Sequence, residues 1–243
     1  MSLLRYVAAL LLLSVPLHRS WAEISGRFVP ADASLLVELP PPPADDSPAG
    51  LADLETVLQV QADRTPTQVE RAQRVEKHSA FLMGARVFGP WFTAENLPLT
   101  ARFFKTAGSQ FRPLLVQAKE KWERPRPYVR NDRVQPCLAL PEGMSYPSGH
   151  SASAAVWAEL FSAAFPERQR AFAAQVRETM WSRVLAGVHY PSDTQAGLLV
   201  GQTIGRAMLT QSTTREALAE VRAEIETFQQ RLAAGGQTGE TKP

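Results

Sequence analysis

From Leu51 onward the apolar residues recur at three- and four-residue spacing, and nowhere does the chain alternate apolar and polar residues over a useful strand length. That pattern restricts the chain to helices packed on helices. The expected class is all-α, a compact single-domain helical fold. Leu51, Leu54, Val57 and Leu58 form the first apolar face. Thr65-Pro66 then supplies an N-cap and a first-turn proline, with Gln68 completing a capping box. The helix it starts is expected to run towards Phe88 and stop before Gly89-Pro90. Leu97-Pro98 opens "ARFFKTAGSQFRPLLVQAKEKW", in which Pro113 predicts a kink or a break into two helices. Residues 124–143, rich in proline, read as one long loop of the functional kind. Helices are then expected from His150 to near Pro166, from there to His189-Tyr190-Pro191, through "SDTQAGLLVGQTIGRAML", and through "TTREALAEVRAEIETFQQRLAAGG" with Gly235 as the stop. Phe88, Trp91, Phe92, Phe103 and Phe104 are expected in the core rather than on substrate.

The ends of the chain bound its location. Residues 1–22 combine Arg5, the apolar run Val7 to Leu13, and small residues Ser20 and Ala22 before Glu23, the pattern of a cleaved signal peptide. The run is too short to span a bilayer. A periplasmic or secreted protein without stable membrane insertion is expected. Residues 23–50 form a Pro-rich segment around "ELPPPPADDSPAG", residues 51–235 the helical domain, and residues 236–243 a flexible tail. Losing residues 1–22 removes Arg5 and Arg19 and no acid, which brings the formal +2 to about zero. A nucleic-acid polymer therefore finds no basic coat to bind. Cys137, the single cysteine, rules out an internal disulfide and a multi-cysteine metal site.

Chemistry-bearing residues cluster late in the chain. His189 and Asp193 lie four apart across a Pro-Ser helix start, so the carboxylate can hold one imidazole proton and leave the other nitrogen as a nucleophile. Alone, the pair reads first as a helix-capping arrangement. Arg183 fits a cation near a helix C-terminus, and Lys119 and Arg126 fit a surface basic cluster in "KEKWERPRP". Pro147-Ser148-Gly149-His150 says more. Gly149 permits close approach of an anion, Ser148 adds a hydroxyl, and the next helix points its free N–H groups at the same place. Three permanent cations, an anion cradle and two histidines, one backed by a carboxylate, together fit phosphoryl transfer with no metal or cofactor required.

Lys119-x6-Arg126-Pro127, Pro147-Ser148-Gly149-His150 and Ser182-Arg183-x5-His189-x3-Asp193 are eleven fixed identities in order. They resemble the signature of the type 2 phosphatidic acid phosphatase and vanadium haloperoxidase superfamily. Within it, the leader, the length, "PPPPA" and "SYPSGH" resemble the bacterial class A non-specific acid phosphatases. The resemblance implies a metal-free, two-step mechanism through a phosphohistidine acting on small phosphorylated substrates. His189 would be the nucleophile, Asp193 its orienting partner, and His150 the general acid and then base. Lys119, Arg126, Arg183, Ser148 and Gly149 would hold phosphate. Tyr190 stands where the family often has Trp, which bears on the pocket wall. A vanadate-dependent haloperoxidase, a soluble lipid phosphate phosphatase and an exported phosphate-binding protein share the same cationic pocket. The closing helix could pack on the body or on a second copy as a homodimer.

Overall fold

The computed structural model describes residues 26–30 and 39–236. The signal-peptide reading of residues 1–22 and the tail at 237–243 fall outside them. Among the described residues there are nine α-helices and no strand. In chain order they are α1 (Pro48–Asp63), α2 (Pro66–Glu76), α3 (Ala80–Phe88), α4 (Pro98–Trp122), α5 (Pro127–Arg130), α6 (Gly149–Ala164), α7 (Gln169–Leu185), α8 (Pro191–Thr210) and α9 (Ser212–Gly236). The all-α expectation holds.

Local chemistry sets most boundaries. Thr65 and Gln68 form the expected capping box at α2. The helix does not run on to Phe88, however. It ends at Glu76, and Ser79, in extended conformation, caps a new helix by accepting from the Leu82 N–H. The break turns Glu76 and His78 inward. Pro113 does not break α4, which runs through it as one 25-residue helix. An interior proline costs about 3 kcal/mol. Phe111, Leu114 and Leu115 on either side of it are all buried, each worth roughly 1.5–3 kcal/mol. The 124–143 loop contains α5, and α7 ends at Leu185, short of His189. There Gly187 adopts φ 73°, which suits glycine, and reverses the chain towards α8.

α6 is the central helix, with buried residues around its whole circumference. Phe161 of α6 joins Phe88, Phe92, Phe103, Phe104 and Phe172 in the aromatic core, so the core expectation for the phenylalanines holds, and Trp91 packs partly buried against them. α9 lies on the body: Ala217, Leu218, Val221 and Ile225 are buried, and the Glu224 carboxylate accepts from the N–H groups of Leu99 and Thr100 at 2.9 and 2.8 Å. It thereby caps α4, whose own N-cap residue, Leu97, has no side chain able to do so.

What places the site is the packing of α8 on α6. Gly197, Gly201 and Gly205, four residues apart, form a stripe on α8 that lets the two backbones approach. A Cβ at Gly201 would sit 2.2 Å from the Ala152 carbonyl oxygen and 2.7 Å from Ala155 Cβ. Gly201→Ala is expected to destabilise the fold by about 1–3 kcal/mol, because overpacking outweighs the roughly 1 kcal/mol that alanine gains in helix propensity. Urea denaturation measures this; an unchanged midpoint would show that the helices are free to separate.

Candidate active site

The starts of α6 and α8 meet at one point, where the Ser148 N–H donates to the Asp193 carbonyl at 2.9 Å. Around that junction the side chains form two layers, one behind His189 and one in front.

Behind it runs a buried chain of charges. Asp193 Oδ2 accepts from the Tyr190 N–H at 2.9 Å and the Ser145 hydroxyl at 2.5 Å, and lies 3.3 Å from His189 Nδ1. Asp193 Oδ1 accepts from Arg124 Nη1 at 2.7 Å, and Arg124 Nη2 donates to Asp53 Oδ2 at 2.9 Å. Asp53, on α1, also accepts from the backbone and hydroxyl of Ser192. The Arg124 guanidinium lies 4.0 Å from the centre of the Tyr190 ring, an added cation–π contact. Burial alone would raise the Asp193 pKa, but His189, Arg124 and Ser145 together hold it below the ordinary carboxylate range. It is therefore a fixed acceptor. Burial lowers His189 to about 3 despite Asp193, and Lys119 and Arg126 push it the same way. The imidazole is neutral, its Nδ1 proton faces Asp193, and its Nε2 lone pair faces the front of the site.

The front layer is cationic. Arg126 Nη1 lies 3.2 Å from His189 Nε2 and donates to the Val188 carbonyl at 2.9 Å. Its other nitrogens donate to the carbonyls of Gly143 and Glu142. Lys119 Nζ donates to the carbonyls of Met144 and Pro147 at 2.7 and 2.8 Å. Burial, with Arg126 nearby, lowers Lys119 to about 7. Ser148 caps α6 by accepting from the Ser151 N–H. Gly149 leaves open space above its backbone; a Cβ there would meet only Lys119 Cε, at 3.9 Å. Arg183 is almost fully buried and gives Nη1 to the Glu76 carboxylate, while its Nε and Nη2 have no partner.

His150, on the first turn of α6, completes the ring. Its Nε2 lies 3.3 Å from the Glu76 carbonyl and 3.7 Å from the Glu76 carboxylate, and its ring stacks on His78 at 3.8 Å. Burial, then His78 and Arg183, pull its pKa strongly down. Burial also lowers His78, to about 4. Both rings are neutral.

A PAP2 superfamily model matches residues 101–217, the span that carries Lys119, Arg126, Ser148, Gly149, His150, Arg183, His189 and Asp193. The non-specific acid phosphatase of Salmonella typhimurium is 30% identical over 228 residues, covering 86% of this chain and 84% of that protein. The chain belongs to the PAP2 superfamily. It is an enzyme, and its kinship within the superfamily is with the acid phosphatases. Two solved structures share its helical fold. One is a bacterial vanadium-dependent iodoperoxidase, with TM-score 0.53, 18% identity and coverage of 75% of this chain and 54% of that one. The other is a transmembrane PAP2-type phosphatidylglycerolphosphate phosphatase from Bacillus subtilis, with TM-score 0.50, 23% identity and coverage of 72% and 89%. Among the described residues of this PAP2 chain, no helix is long and apolar enough to cross a membrane.

The fold thus gathers every candidate residue read from the sequence into one cluster. Sequence reasoning missed six further residues of that cluster: Asp53, Glu76, His78, Arg124, Ser145 and Ser192. Ser145 stood inside the quoted "SYPSGH", and Arg124 stood beside Arg126 in "ERPRP". Nothing in the sequence distinguished Asp53 from a surface acid on α1.

Proposed function

We propose that this chain is a metal-independent acid phosphatase that hydrolyses small phosphomonoesters through a phosphohistidine on His189. Family membership supports phosphomonoester hydrolysis. The observation that carries the finer reading is the state of His189: buried, neutral, with Nδ1 on Asp193 and Nε2 towards the cations. A neutral imidazole so oriented is a nucleophile without further activation.

In the first step the Nε2 lone pair attacks phosphorus in line, the ester P–O bond breaks, and the leaving oxygen takes a proton from His150. Lys119, Arg126, Arg183, the Ser148 hydroxyl and the Gly149 N–H hold the equatorial oxygens as charge shifts onto them. Arg126 turns from His189 Nε2 to the phosphoryl group, freeing the lone pair at that moment. Burial among cations disfavours a proton on His150. An arriving phosphoryl anion offsets those cations and favours it, which couples acid catalysis to substrate binding. In the second step His150 takes a proton from water, the oxygen attacks phosphorus, and the P–N bond breaks. An alcohol in place of water gives phosphotransfer. The leader-like residues 1–22 support action outside the cytoplasm.

The test is hydrolysis of an aryl phosphate at acid pH with a chelator present. Turnover is expected to be unchanged by chelation, because fixed cations do the work of a metal. Loss of turnover that added metal restores would contradict the mechanism.

A further inference from the structure

Glu76 is an acid where an anion is expected to bind. Its carboxylate lies on Arg183 Nη1 and 3.7 Å from His150 Nε2. The break between α2 and α3 puts it there. Arg183 keeps Nε and Nη2 unpartnered and buried. Those two nitrogens form the parallel pair of donors that a phosphoryl group takes in bidentate fashion. A phosphoryl group on that edge shares one guanidinium with Glu76.

We propose that Glu76 is a specificity-determining residue that selects the singly charged form of the phosphoryl group. The proposal rests on the phosphatase reading above and concerns the same site. A phosphomonoester loses its second proton at a pKa of about 6, so the monoanion prevails in acid and the dianion above neutrality. A carboxylate sharing that guanidinium repels the dianion's extra charge, and because Glu76 is 33% exposed solvent screens it in part; at roughly 6 Å with an effective dielectric of about 40, Coulomb's law gives a penalty of about tenfold in affinity. Other groups also face Glu76: Arg183 from α7, His150 from α6, and His78 two residues on. Arg126 interacts with it electrostatically, Lys119 bears on Arg183 from α4, and Arg112 bears on His78. At the outer end of the α2–α7 contact, Glu178 is taken up by Arg71 and Arg86. Those cations favour the more highly charged form, and Glu76 opposes that preference.

The test is calorimetric binding of inorganic phosphate to the full chain and to Glu76→Gln, at about pH 5 and about pH 8, alongside kcat and KM for an aryl phosphate. Glu76→Gln is expected to tighten phosphate binding by a factor about tenfold larger at the higher pH than at the lower, because the carboxylate repels two charges on the ligand there and one in acid. KM should follow, with kcat little changed. Glu76→Asp, which keeps the charge, should retain the wild-type pH dependence, and Glu76→Ala should behave as the glutamine variant. An equal effect at both pH values, or none, overturns the proposal. So does a fall in kcat with binding unchanged, which assigns Glu76 to holding the His150 proton. If the wild type binds phosphate with this pH dependence but hydrolyses no phosphomonoester, the activity reading fails and the role of Glu76 stands.

Discussion

His189→Ala is expected to lower kcat on an aryl phosphate by roughly ten-thousand-fold or more, since removing a covalent nucleophile removes the reaction path itself. Activity that survives comes from cations orienting water at the phosphoryl group. The fold should survive too. Asp193 keeps the Tyr190 N–H, the Ser145 hydroxyl and Arg124 when the imidazole goes, so no buried charge is left alone. A thermal melt beside the kinetic assay separates the two effects. Near-wild-type turnover would reject His189 as nucleophile, and a large drop in melting temperature would mean that the ring supports the packing.

Arg124→Ala is expected to have the largest effect on stability. The guanidinium is 3% exposed, between carboxylates 8% and 0% exposed on Asp53 and Asp193. Truncating it leaves two buried acids facing an empty space. Breaking a buried pair by removing one partner costs about 3–5 kcal/mol. At roughly 2–4 °C per kcal/mol for a chain of this size, the melting temperature falls by about 10 °C. Asp53→Asn should cost less, because Arg124 keeps Asp193 and the amide can still accept from Ser192. Denaturant melts of both variants test the order. A loss below about 1 kcal/mol for Arg124→Ala would show that the network is solvated in solution.

The fold was legible where its causes are local. The Thr65–Gln68 capping box, the prolines at the starts of α2, α4 and α8, and the three- and four-residue spacing all act within a turn or two of chain. Where tertiary packing outweighs a local signal, as at Pro113, the sequence reading overestimated the break. Where a single cap residue starts a new helix, as Ser79 does after Glu76, it missed the break. The glycine stripe of α8 was visible as spacing in "AGLLVGQTIG", but its meaning depends on which helix lies opposite. In the site, residues inside contiguous motifs could be read and their supports could not. Asp53 meets Ser192 across 139 positions, and Glu76 meets Arg183 across 107. An isolated acid in a helix carries no mark of a partner so far along the chain. This is why the front of the site was readable and the network behind His189 was not.

The account centres on a covalent bond between phosphorus and His189 Nε2. Rapid alkaline quenching of the enzyme during turnover of an aryl phosphate, followed by peptide mass spectrometry, tests it directly. The account predicts a phosphoryl group on the peptide containing His189, absent in His189→Ala and accumulating when His150 is replaced by alanine and a good leaving group is used. A turning-over enzyme with no such adduct, or with the phosphoryl group on another residue, would contradict it.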